Sequence, residues 1–171
     1  MTYDLGILLV RILLGAAIAA HGAQKLFGWF GGYGIKGTGG WFESLGFRPG
    51  AFFATASGLS EFGGGLLILL GLLGPAGPML VIATMLVAIL SVHIKNGFFA
   101  ANNGYELNTI YIAAAIAVAF AAPGVYAIDT YSPALLTLHE PAIVWSAIGL
   151  AILGALGNLA LRKPVPAQPQ A

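Results

Sequence analysis

Five apolar stretches, separated by short connections, take up most of this 171-residue chain. They fall at residues 5–27, 51–73, 78–94, 107–122 and 142–161. Each approaches the roughly 20 residues that a helix needs to cross a hydrocarbon core of about 30 Å. Backbone N–H and C=O groups find no water there, so such stretches must satisfy them internally, as helices. Only 8% of the residues are charged, against about 25% in a soluble domain. Too little polar surface remains to face water on all sides. The expected fold is an all-α membrane protein, a bundle of four or five transmembrane helices with almost no soluble domain.

Breaker residues order these spans. Gly74-Pro75 and Gly77-Pro78 form a tight turn, which makes the second and third stretches antiparallel neighbours. Pro123-Gly124 stops the fourth and shortest stretch, and Glu140-Pro141 opens the fifth. Residues 162–171 are expected to be a disordered tail, rich in Pro and Gln beyond Arg162-Lys163. Ala17-Ile18-Ala19 resembles a signal-peptide cleavage site, but Arg11 interrupts the apolar run and no Lys or Arg precedes it. The first stretch is therefore read as a retained helix. With five spans, Lys25, Lys36, Arg48, Lys95, Arg162 and Lys163 share one side, and the other carries only Arg11. The positive-inside tendency then puts the C-terminus in the cytoplasm and the N-terminus outside. Arg11 is expected to snorkel outward, towards Asp4 or Asp129, and His139 to be solvated in the outer connection.

The longest connection, 28–50, carries Trp29, Phe30, Tyr33, Trp41, Phe42 and Phe47, rings that favour the membrane interface. Residues 38–45 are expected to form a short interfacial helix ended by Gly46. An anchor is the simpler reading of this loop, and a substrate lid is the other.

The absence of cysteine excludes disulfides, thiolate metal sites and iron–sulfur ligation. A net charge of +1 with no basic run gives nucleic acid no footprint.

Ionisable groups inside apolar spans are costly and so mark candidate sites. Glu61 lies well inside the second stretch, flanked at helical spacing by Ser57, Gly58, Gly64 and Gly65. That small-residue face permits close helix approach and aims Glu61 into the bundle. His21, Gln24 and Lys25 share one face of the first helix, with His21 at a similar depth to Glu61. His93 and Lys95 close the third stretch on the same side, and Glu106 and Asn108 open the fourth there. Polar groups of four helices thus converge on one end. Lys25 and Lys95 also fit plain boundary residues with snorkelling ammonium groups. A Glu61–His21 pair also fits helix glue without chemistry, and Asn102-Asn103-Gly104 is first of all a turn.

At these residues the chain resembles the DoxX family of small bacterial membrane proteins. The resemblance covers roughly residues 5–129 and rests on three spaced motifs. His21-Gly22-Ala23-Gln24-Lys25-Leu26-Phe27-Gly28 ends the first helix, and Gly58-Leu59-Ser60-Glu61-Phe62-Gly63-Gly64-Gly65 lies in the second. His93 follows with Asn96-Gly97-Phe98-Phe99 and Asn103-Gly104-Tyr105-Glu106. It implies a four-helix transmembrane bundle over 1–129 in a bacterial cytoplasmic (inner) membrane. Residues 130–161 then supply an outer loop and an added fifth, C-terminal transmembrane helix. It also implies a link to quinone-dependent redox metabolism, since relatives resemble the membrane subunit of a thiosulfate:quinone oxidoreductase. Other relatives associate with superoxide-detoxifying and sulfur-transferring enzymes.

Three functions are weighed. As a quinone-linked oxidoreductase subunit, the chain would exchange protons through Glu61 and His21. Gln24, Lys25, His93, Lys95, Glu106 and Asn108 would bind quinone or an anionic reductant. As a non-catalytic scaffold, it would hold soluble redox enzymes against the inner leaflet through the 28–50 loop and the basic face. As a small transporter or lipid-handling protein, it would use Glu61 as its coupling site, although no inverted repeat is evident. Three histidines cannot ligate both a haem and a copper centre. Neither haem nor metal is expected, and membrane lipid is the constant partner.

Overall fold

The computed structural model describes residues 1–164. The rest of the expected disordered tail, 165–171, lies outside the described residues. Seven α-helices follow one another: α1 (Thr2–Phe27), α2 (Gly34–Ser44), α3 (Gly50–Leu70), α4 (Ala76–Ala88), α5 (Glu106–Phe120), α6 (Pro133–Leu136) and α7 (Pro141–Ala160). No strand occurs among the described residues. α4 runs on through a π-helical turn, Ile89–His93, and a 3-10 turn, Ile94–Asn96. Among the described residues, Thr2–Phe27, Gly50–Leu70, Ala76–Asn96 and Pro141–Ala160 are long and apolar enough to cross a membrane. α5 is equally apolar but has 15 residues. The chain is a multi-pass membrane protein, and its exposed leucines and isoleucines face lipid rather than water.

α1 and α3 lie against each other along a seam of small residues. A Cβ on Gly22 would run into the backbone of Phe62, and one on Gly15 would sit 2.7 Å from the carbonyl oxygen of Gly65. Lipid tails are as apolar as the helices, so close packing rather than exclusion from water holds such a pair together. α4 occupies the middle and packs on α3, α5 and α7. Leu14, Ile18, Ile68, Val81, Ile82, Met85, Ala115 and Ala151 form the main core. α7 buries Val144, Ala147, Ala151 and Ala155, one helical face, so it is part of the bundle and not an appendage.

α2 starts four residues before the expected helix at 38–45, and Gly46 follows it at φ 92° as expected. Of the six rings expected at the interface, Trp29, Phe30, Tyr33 and Trp41 are exposed, but Phe42 and Phe47 are buried with Phe53 and Ala54 in a second core. The residues just beyond α7, Arg162 and Lys163, close over it. Arg162 donates from Nε to the Leu45 carbonyl and lies over the Phe47 ring.

At the opposite end, the expected outward snorkelling of Arg11 does not occur. Its side chain is 2% exposed and donates to the carbonyls of Ile68, Leu69, Pro123 and Tyr126. The last carbonyls of a helix lack intrahelical donors, and the α3 end falls within reach of a guanidinium with several to give. His139 is not solvated either. Its Nε2 lies 3.0 Å from Oδ2 of the fully buried Asp129, which also accepts from Leu73 N and Gly74 N. This network ties α1, the α3–α4 turn and the segment before α7 together.

Arg11→Met should lower the thermal unfolding midpoint in detergent by several degrees, because it strands the carbonyls of Leu69, Pro123 and Tyr126 beside a buried carboxylate, a loss of about 3 kcal/mol or more. Gly22→Leu should destabilise by a similar amount by prising α1 from α3. A melt unchanged by either substitution contradicts the packing described.

Candidate functional site

The α1–α3 seam sets the site. Because the helices are antiparallel and touch at Gly22 and Gly58, the turn of α1 that follows brings Lys25 beside Glu61. Lys25 Nζ lies 2.5 Å from Glu61 Oε1 and 3.0 Å from Ser57 Oγ. Ser57 and Glu61 are one turn apart on α3, so a single ammonium bridges both. Glu61 is 3% exposed, and its Oε2 has no hydrogen-bond partner. An unpartnered buried carboxylate oxygen is costly, and this one faces a cavity.

Beside this pair lies a cavity of about 520 Å³, walled mainly by apolar side chains. All the long helices and α2 contribute to it. Trp41 and Phe42 come from α2, Asn108 and Tyr111 from α5, and Asn158 from α7. The π-turn presents Ser91, Val92 and His93 to the same cavity. Three consecutive residues of a regular α-helix would fan over about 200° at 3.6 residues per turn. π-turns recur at functional sites because they redirect side chains in this way. His93 Nδ1 is 2.8 Å from the carbonyl oxygen of Asn103. A carbonyl only accepts, so Nδ1 carries the proton and Nε2 is the free acceptor of the neutral ring.

Five of the eight residues expected at the site line this cavity: His21, Lys25, Glu61, His93 and Asn108. The expected Glu61–His21 pair is absent. Helical side chains lean towards the N-terminus, which in α1 points Lys25 back into the bundle and onto Glu61. His21 is exposed and meets Tyr111 edge-on, with ring centres 6.2 Å apart. The other three residues lie outside. Gln24 donates to the Phe30 carbonyl and pins the connection after α1. Glu106 accepts from Ala100 N and holds the turn before α5, where Asn103 adopts φ 59°. Lys95 is exposed and does not line the cavity.

Sequence reasoning missed Tyr111, Ser91 and Asn158. A lone amide within the apolar run of α7 was a readable signal, and the buried Oδ1 of Asn158 has no partner. Among the described residues, no three His, Asp or Glu side chains converge as metal ligands.

Lys25→Met should strand the Glu61 carboxylate and destabilise the protein more than the double variant Lys25→Met/Glu61→Gln. The cycle of unfolding midpoints should show a coupling of about 1–3 kcal/mol. Additive single effects would mean that the pair is not formed.

The family model described as DoxX matches residues 6–94, which hold His21, Lys25, Glu61 and His93. No curated protein and no solved structure matches the chain.

Proposed function

The chain belongs to the DoxX family, and we propose that it is a membrane subunit of quinone-linked redox metabolism, with the quinone ring held in the cavity beside Glu61. The observation that carries this reading is the part-buried Lys25–Glu61 pair with one buried carboxylate oxygen unpartnered, on the wall of a largely apolar cavity of about 520 Å³. Ligand sites of about 300–1,000 Å³ with apolar walls and a few converging polar groups suit a small ring with oxygen at its edge. Trp41, Phe42 and Tyr111 supply aromatic surface for that ring.

A bound quinone supplies two-electron, two-proton chemistry. The residues supply position and protons. Lys25 keeps one N–H beyond those given to Ser57 and Glu61. Glu61 can hold a proton at Oε2, and His93 can take one at Nε2. Without cysteine the chain carries no sulfur as a persulfide. The electrons come from a reduced sulfur anion such as thiosulfate, or from a soluble redox enzyme. Either would approach the end where Lys36, Arg48, Lys95, Arg162 and Lys163 are exposed. Positive-inside bias orients that end, and the C-terminus, to the cytoplasm.

That basic end, with Trp29, Phe30 and Tyr33 exposed beside it, favours a second reading, a scaffold that docks soluble redox enzymes without binding quinone itself.

Extraction of purified protein in a mild detergent should yield quinone or quinol near stoichiometry. The cavity-filling variant Ser60→Trp, folded by its melting curve, should yield none. No bound or added quinone in the wild type would sink the redox site and leave the scaffold.

A further inference from the structure

Resting on that reading of the cavity, we infer that the site selects the reduced, hydroxyl-bearing form of its ring ligand over the oxidised, carbonyl-bearing form. The argument is an inventory of donors. A quinone offers only acceptors at its ring oxygens, whereas a quinol offers an O–H at each. Several of the wall's donors are spent within the protein, and those left over are one Lys25 N–H, one Asn108 N–H and the indole N–H of the half-exposed Trp41. The Thr84 hydroxyl donates to the carbonyls of Leu80 and Val81, and that of Ser91 to Val87. The His93 Nδ1–H goes to Asn103, and the Asn108 amide nitrogen to Met85 Sδ. Two of the three Lys25 protons go to Ser57 and Glu61.

What these groups leave to the cavity is mostly acceptors. Glu61 Oε2 is the strongest, since a carboxylate only accepts and this oxygen is buried without a donor. His93 Nε2 and the oxygens of Thr84 and Ser91 add to it. The hydroxyls of Ser57, Ser60 and Tyr111 rotate to donate or accept and so do not discriminate between the two forms. The Asn158 amide turns over to the same effect. Charge points the same way. Lys25 and Glu61 neutralise each other, so the site asks for a neutral ligand that brings hydrogen-bond donors.

The preference has a redox consequence. Tighter binding of the reduced form raises the midpoint potential of the bound couple, by about 30 mV for each tenfold ratio of dissociation constants in a two-electron couple. The site would thereby draw electrons towards the ring.

The test is anaerobic titration of the full chain in detergent at one fixed pH. The probes are a short-chain benzoquinone, its quinol, and the dimethyl ether of that quinol, followed by quenching of tryptophan fluorescence. The quinol should bind about tenfold tighter than the quinone, the difference one charge-assisted hydrogen bond can make. The ether, with the same ring and no donor, should bind no better than the quinone. Glu61→Gln exchanges the spare acceptor for an amide N–H, so the preference should vanish or invert. Its retained response to the quinone shows that the cavity is still formed. Equal affinities, or a tighter quinone, in the wild type would overturn the inference and leave the proposed quinone site standing. Binding of none of the three would overturn both. A quinol preference unchanged in Glu61→Gln would also overturn the inference, since Glu61 is its main source.

Discussion

Contact between the backbones of α1 and α3 is the constraint on which the rest depends. Gly15, Gly22, Gly58 and Gly65 let the two helices approach until only backbone and short side chains lie between them. At ordinary helix spacing, about 8–10 Å between axes, a lysine at the end of α1 would reach headgroups more easily than a carboxylate on its neighbour. At this spacing Lys25 and Glu61 meet within the bundle, and the pair is shielded by protein. The glycines of the two helices are therefore part of the site, although none of them carries a functional group.

The two ends of the bundle treat buried polar groups differently. At the end that holds Arg11, the guanidinium meets four carbonyls and Asp129 meets two backbone amides and His139. Among the described residues only His139 Nδ1 is left without a partner there, beside a void of about 20 Å³, of the order of one water. Such an arrangement closes a fold. At the other end an anionic oxygen stays unpartnered beside a cavity some twenty-five times larger. Burying a group that way costs stability unless something else meets it. The contrast between the ends, more than the presence of charge, separates polar groups that close the fold from those left open to a cavity.

Most of the fold was legible because hydrocarbon permits so little else. The five apolar stretches, the turn at Gly74–Pro78 and the end at which polar residues gather all follow from length and punctuation. Side-chain direction was not legible. Depth along a helix places His21 level with Glu61, but the lean of helical side chains hands the contact to Lys25. Arg11 was misjudged for a related reason, since an apolar run does not reveal that four carbonyls of other segments will converge on it. The π-turn left no sequence mark. It brings His93 round to the cavity that Thr84, Val87, Ala88 and Ser91 face at ordinary helical spacing.

The division of labour along the chain follows from the same geometry. Residues 6–94, matched by the family, bring the charged pair and His93. They also supply most of the neutral wall, which Asn108 and Tyr111 on α5 and Gly154, Ala155 and Asn158 on α7 complete. α5 is short and touches α7 only lightly, so the cavity is bounded on that side by few side chains. On the proposed reading, the charged pair and His93 set the hydrogen bonds a ligand must bring, and the side chains of α5 and α7 complete the shape of the cavity. On the same reading a change of Asn158 or Tyr111 alters ligand selectivity without disturbing the Lys25–Glu61 pair, whereas a side chain added at Gly22 runs into the α3 backbone and disturbs it.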